Sequence, residues 1–296
     1  MKLVLVDGSK SISKLLAAML EKVGHSVETF TDGALALEYM MTKPFDVLVT
    51  ALEIYNVSGF DLCGYARARN DQGLPTYAIA MSSIQDTRRI IEALDHGADD
   101  FTGKSPRIEE LVAKLRVAER FLKAQHNLIR LATIDPLSGL YNRRAFFEEA
   151  ARASVVAGMS QKPMAFVMLD IDHFKRINDT FGHDVGDGVI MGVAQILRQH
   201  YAKTGRIGGE EFAMFLEGFD EKAAHALAET LRGVIAETPI VTESRTVSVT
   251  ASLGVAAGSG RVDPYDLYKR ADEALYVSKT SGRNRVSLHE VKAISA

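Results

Sequence analysis

The chain has 296 residues, more than one compact core usually encloses, so two domains are expected. Hydrophobic residues make up 47% and charged residues 25%, a globular rather than a disordered composition. The net charge of -3, with no block of Lys or Arg, argues against a nucleic-acid partner. A single cysteine, Cys63, excludes an intramolecular disulfide framework and a multi-cysteine metal site, and suits a reducing cytoplasm. The apolar run at 1–6 meets Asp7 too soon for a signal peptide, and no stretch approaches the length of a membrane span. A soluble cytoplasmic protein is expected.

Short apolar runs at 3–6, 27–30, 47–49, 78–81 and 100–102 alternate with helix-period segments at 12–23, 34–41, 60–69 and 86–96. The alternation predicts a doubly wound α/β domain of five strands over 1–106. Pro106 opens a helical segment, 107–132, whose apolar positions step through Leu111, Leu115, Ala118 and Leu122, with Gln125 interrupting before Ile129 and Ala132. Such a seam suits either a dimerising stalk or a helix packed on its own domain, and the spacing leaves both open. From 133 to 296, strands are expected at 164–170, 204–207, 212–216 and 247–256, and helices at 144–156, 186–200, 221–237 and 264–278. The strand pair around Gly208-Gly209 reads as a hairpin whose glycines supply positive φ. The region is predicted to be an α+β domain.

The expected strand at 164–170 ends in Asp170-Ile171-Asp172, where a buried strand reaches solvent, and the hairpin adds Glu210 and Glu211. Two acidic segments beside closely approaching backbone suit a hard divalent cation, and such a cation suits phosphoryl chemistry.

Five ordered motifs span this second region. They are Asp135-Pro136-Leu137-Ser138-Gly139-Leu140-Tyr141-Asn142-Arg143-Arg144; Asp170 through Asp179 with Gly182-His183-Asp184-Val185-Gly186-Asp187; Arg206-Ile207-Gly208-Gly209-Glu210-Glu211-Phe212; Ala271-Asp272-Glu273-Ala274-Leu275-Tyr276; and Lys279 with Gly282-Arg283-Asn284-Arg285. Together they resemble the GGDEF family of diguanylate cyclases. The resemblance implies a nucleotide-cyclase-like fold that makes cyclic di-GMP from two GTP, as a homodimer, with two Mg²⁺ or Mn²⁺ per site. It implies that Asp170, the Ile171 carbonyl, Glu210 and Glu211 hold the metals, with Glu210 also helping to deprotonate the attacking ribose hydroxyl. Asn178 and Asp187 would bind guanine, with His183 and Phe174 lining the nucleotide site, while Lys175, Lys279 and Arg283 would neutralise the triphosphate. Many members carry an Arg-x-x-Asp product-binding motif upstream of the hairpin; here those positions read Gln199-His200-Tyr201-Ala202. Arg198 and Arg232 are the nearby alternatives, and tight product inhibition is not expected. The competing function is a silent GTP or cyclic di-GMP sensor acting by protein contact.

The first domain resembles the receiver domain of response regulators, with Asp7, Ser82 and Lys104 after the first, fourth and fifth strands. Ala51 occupies the phosphoacceptor position, and Gly8 replaces a second acid. A methyl group can neither accept phosphate nor bind Mg²⁺, Glu53 falls in the following loop, and Asp46 lies at the opposite strand end. A degenerate, pseudo-receiver domain that pairs with itself or a protein partner is expected.

Overall fold

The computed structural model describes residues 1–83, 87–104, 106–201, 203–260 and 262–289. It divides into two compact units, Met1–Ile129 and Arg130 onward.

The first unit runs β1 (Lys2–Val6), α1 (Lys10–Lys22), β2 (Ser26–Phe30), α2 (Gly33–Thr42), β3 (Val47–Ala51), α3 (Gly59–Asp71), β4 (Tyr77–Ser82), α4 (Thr87–Asp95), β5 (Asp100–Gly103) and α5 (Ile108–Thr133), whose last turn passes into the second unit. Its five strands are all parallel in the order β2-β1-β3-β4-β5, as expected of a doubly wound domain. Residue 86, where the fourth helix was expected to open, lies outside the described residues. Strands β3 and β4 are buried at every position, which is why they read as continuous apolar runs. Leu3, Leu5, Val47, Val49 and Ile79 face α1 and α5, while Val4, Val6 and Leu48 face the core beneath α2 and α3. Helix α3 opens on a reciprocal cap in which the Ser58 hydroxyl accepts from the Asp61 amide and the Asp61 carboxylate accepts from the Ser58 amide.

The seam Leu111, Leu115, Ala118 and Leu122 is buried in the core of this unit. For these four residues, the helix packed on its own domain is the arrangement that forms. A second row on α5, at Val117, Ala124, Leu128 and Leu131, is exposed, with Phe121 half-buried between them. The steps of four and three that the sequence shows are therefore present twice on this helix.

The second unit runs β6 (Tyr141–Asn142), α6 (Arg143–Met159), β7 (Met164–Ile171), α7 (Phe174–Phe181), α8 (His183–His200), β8 (Thr204–Arg206), β9 (Glu211–Glu217), α9 (Glu221–Glu237), β10 (Ile240–Val241), β11 (Thr246–Val247), β12 (Ala251–Gly258), α10 (Pro264–Thr280) and β13 (Val286–Leu288). A mixed six-stranded sheet has the order β13-β12-β7-β9-β8-β6, with β10 and β11 forming a separate small ribbon. The expected strand at 247–256 thus divides into β11 and β12. Strand β7 pairs antiparallel with both β9 and β12, and all eight of its residues are buried. Apolar clusters cover both sheet faces, one built with α8 and α9 and the other with α6 and α10. Gly254 permits this close packing, since a Cβ there would collide with the backbone of α10 at Ala271 and Leu275.

Candidate active site

The central strand pair delivers the acids. In the β7–β9 register Asp170 lies opposite Glu211, and the Ile171 amide donates to the Glu210 carbonyl at 3.3 Å. Asp170 is buried, 7% exposed, while Glu210 and Glu211 are half-buried at the mouth. The Lys279 Nζ, from the last turn of α10, approaches Asp170 Oδ2 at 2.7 Å. Burial pushes the Asp170 carboxyl up to about 6; the Lys279 ammonium opposes that rise, and Glu210 and Glu211 add to it. A buried acid crowded by other acids is a natural cation site, and every donor here is a hard oxygen. Among the described residues no three His, Cys, Asp or Glu side chains come together as a ready cage.

The hairpin departs from expectation. Its strands end at Arg206 and resume at Glu211, and the Ile207 amide donates to the Glu211 carbonyl at 2.9 Å. Neither Gly208 nor Gly209 has positive φ. A Cβ at Gly208 would meet the Glu211 carboxylate, a flexible side-chain end that can give way, whereas Gly209 faces open space. The turn is braced from outside: Arg206 donates to the Gly209 carbonyl at 2.8 and 3.0 Å and pairs with Asp135 at 3.1 Å. Asn142 donates to the Ala132 carbonyl at 2.8 Å, so the segment between α5 and β6 is tied to the hairpin on one side and to the end of α5 on the other. Burial tends to raise the Asp135 carboxyl, but hydrogen bonds from Ser138 and Arg206 outweigh it and hold it low.

Phe174, Lys175, Asn178, His183 and Asp187 lie on α7 and α8, although α7 itself was not foreseen and α8 begins three residues earlier than predicted. Asn178 sits against Gly186, where any Cβ would collide with its side chain, and its Oδ1 is buried with no partner among the described residues. Lys175, His183 and Asp187 are exposed on these helices, and Arg283 is exposed on the turn after α10. Phe174 is 8% exposed and belongs to the core with Ile177 and Val185. Arg198 is engaged at the Ser138 carbonyl at 2.8 Å, and Arg232 holds Asn284 Oδ1 at 3.0 Å. Residue 202, the last position of the altered product-binding segment, lies outside the described residues.

Comparison with known proteins places this geometry. The profile described as "Diguanylate cyclase, GGDEF domain" matches residues 132–285, more than half of the chain. The chain belongs to the GGDEF family. A second profile, "Response regulator receiver domain", matches residues 3–116. Response regulator PleD of Caulobacter vibrioides is 32% identical over 257 residues, covering 82% of this chain and 56% of that protein. Diguanylate cyclase DgcP of Pseudomonas aeruginosa is 36% identical over 191 residues, covering 62% of this chain and 28% of that protein. The chain therefore spans about half or less of the length of these curated relatives. Among solved structures, the coiled coil and GGDEF domain of DgcB from Caulobacter crescentus, in complex with c-di-GMP, is similar with a TM-score of 0.56 and 33% identity. It covers 61% of this chain and 97% of that chain.

In the receiver domain, Asp7 follows β1, Ala51 ends β3 and Ser82 ends β4, while Lys104 follows β5, at the carboxyl edge where doubly wound folds place their sites. Ala51 and Asp7 are fully buried. Asp7 Oδ1 accepts from the Ser9 amide at 2.8 Å and lies 3.8 Å from Lys104 Nζ, while its Oδ2 has no partner among the described residues. Glu53 forms an ion pair with Arg89 on α4. Asp46 accepts from the Lys2 amide at 2.6 Å, at the opposite edge of the sheet. Both nearby acids are thus committed elsewhere.

Sequence reading of the GGDEF domain missed two residues that the structure makes central, Arg206 and Asp172. Both were inside the quoted motifs; their partners, Asp135 and the β12 hydroxyls, are distant in sequence, and no spacing rule connects them.

Proposed function

We propose that this chain is a diguanylate cyclase that condenses two GTP into cyclic di-GMP, with two GGDEF domains meeting face to face. In each step a ribose 3′-oxygen of one GTP bonds to the α-phosphorus of the other, the bond from that phosphorus to pyrophosphate breaks, and the hydroxyl proton leaves. Repetition closes the ring. The observation that carries the reading is the juxtaposition of buried Asp170 with Glu210, Glu211 and Lys279 at the ends of β7, β9 and α10.

In this reading Asp170, the Ile171 carbonyl, Glu210 and Glu211 hold two Mg²⁺ or Mn²⁺ ions, which supply charge neutralisation at the phosphates when bound. Glu210 accepts the ribose proton. Asn178, whose buried Oδ1 lacks a partner, and Asp187 accept from guanine N–H groups, which adenine does not offer in that pattern. Lys175, Lys279 and Arg283 face the triphosphate, and His183 borders the nucleotide. Because one domain cannot present both substrates in line, pairing of two chains is the point of control. The exposed row on α5 supports such pairing. Loss of the acceptor at Ala51, with Glu53 and Asp46 both occupied, supports a receiver that is not driven by aspartate phosphorylation. That among the described residues no helix is long and apolar enough to cross a membrane is compatible with a reaction in the cytoplasm.

Purified protein given GTP and Mg²⁺ is expected to form cyclic di-GMP, separable by ion-pair chromatography, and Glu210→Ala to abolish it. Product from the variant at the wild-type rate would remove Glu210 from the chemistry.

A further inference from the structure

Asp172 lies two residues beyond Asp170, and its carboxylate has a different fate. It is 5% exposed, and both oxygens are committed: Oδ1 accepts from Ser252 Oγ at 2.7 Å, and Oδ2 from Thr250 Oγ1 at 2.6 Å and from the Asn284 amide at 3.0 Å. Its own amide donates to the Thr250 carbonyl at 2.9 Å. A carboxylate so fully used by protein donors is poorly placed to serve as a metal ligand.

The distant donor among these, Asn284, belongs to an unusual turn. Gly282, Arg283 and Asn284 have φ values of 114°, 63° and 45°, so two consecutive non-glycine residues lie in the left-handed region. L-residues resist that conformation, and it persists only where surrounding contacts hold it. The contacts are specific. Asp172 holds the Asn284 amide, Arg232 Nη1 donates to Asn284 Oδ1 at 3.0 Å, and Arg232 Nε is fixed by Glu229 Oε2 at 2.8 Å. The Arg283 amide donates to the Ser278 carbonyl at 3.0 Å. The Arg283 side chain, in contrast, is exposed and makes no hydrogen bond among the described residues.

We propose that Asp172 is a positioning residue for triphosphate recognition: bound to Thr250 and Ser252 at the start of β12, it locks the left-handed turn that aims Arg283 at the substrate phosphates. The proposal builds on the reading of Arg283 as a triphosphate ligand. It divides the labour of the Asp170-Ile171-Asp172 triplet between a cation-facing acid and an acid that shapes the opposite wall. Arg232, which the sequence left as a candidate product contact, becomes the second clamp on the same turn.

The test is equilibrium binding of a fluorescent GTP analogue and of the matching GMP analogue to the full chain, with Ca²⁺ in place of Mg²⁺ to suppress turnover. Asp172→Asn is expected to weaken GTP binding about tenfold while leaving GMP binding within about twofold, the loss of one charge-assisted contact to phosphate. Arg283→Ala is expected to do the same, and the double variant to be no weaker than Arg283→Ala alone. Asn284→Ala, which leaves Asp172 and its β12 partners intact but removes the Arg232 clamp, is expected to reproduce the selective loss of GTP and serves if Asp172→Asn folds poorly. Equal loss of GTP and GMP binding in the folded variants, or losses that multiply in the double variant, would overturn the proposal. So would unchanged GTP binding in Arg283→Ala. These readouts require no turnover, so a chain that binds GTP without forming product would refute the cyclase reading and still decide this one.

Discussion

Lys279 Nζ and Asp170 Oδ2 are 2.7 Å apart at the meeting of α10 and β7, where the lysine is the one cation paired with that carboxylate among the described residues. Burial raises the Asp170 carboxyl from its ordinary 3.8 to about 6, and the lysine limits the rise. The sign for stability follows. The folded state holds the proton more tightly than the unfolded one, so the contribution of Asp170 is most favourable below about pH 4 and is lost as pH rises through about 6. The difference is on the order of 2–3 kcal/mol. In EDTA, Asp170→Asn is therefore expected to gain thermal stability relative to wild type at pH 8 and to lose that advantage at pH 4; in Mg²⁺, where wild type turns over, the variant is expected to form no product. Parallel melting curves of the two proteins check this; an advantage that is larger at pH 4 would contradict it.

The Arg206 brace makes a separate prediction. Arg206→Ala removes two hydrogen bonds to the Gly209 carbonyl and the pair to half-buried Asp135. A stability loss of about 1–2 kcal/mol is expected by urea unfolding, together with a fall in turnover of about tenfold as the acidic hairpin loosens. Asp135→Asn should share most of that turnover defect, because both changes release the same hairpin. Full activity in both variants would detach the brace from catalysis.

Much of this architecture is legible from the sequence, for identifiable reasons. The fully buried β3 and β4 announce themselves as apolar runs, and the acids of the hairpin lie within one short motif. Helix α7 escapes because it is only eight residues long: Phe174, Ile177 and Phe181 do step by three and four, but across barely two turns of an otherwise polar segment. The seam of α5 stays ambiguous in the sequence for a geometric reason, since the same helix carries two apolar rows and only tertiary packing decides which is covered. The hairpin glycines read differently as well: positive φ was expected of Gly208 and Gly209, and neither has it.

Those two rows on α5 predict opposite outcomes for similar substitutions. Leu128→Glu combined with Leu131→Glu, on the exposed row, should leave the fold intact and lower specific activity at least about tenfold at submicromolar protein, with a shift toward monomer in sedimentation velocity. Leu115→Glu, on the buried row, should instead unfold the receiver domain. An unchanged sedimentation coefficient and activity in the exposed-row variant would remove α5 from the pairing surface.

For the receiver domain, the proposed reading of Ala51 as the phosphoacceptor position predicts that treatment with acetyl phosphate and Mg²⁺ leaves no acid-labile aspartyl phosphate and leaves turnover unchanged. Intact-mass measurement before and after treatment checks it. A stoichiometric gain of one phosphate would show that another acid has taken over.

The most direct test of the central claim is the stoichiometry and concentration dependence of the reaction with GTP and Mg²⁺. The account predicts two pyrophosphates released for each cyclic di-GMP, with specific activity rising as protein concentration increases and pairs form. Tight GTP binding without either product, at every protein concentration, would contradict it.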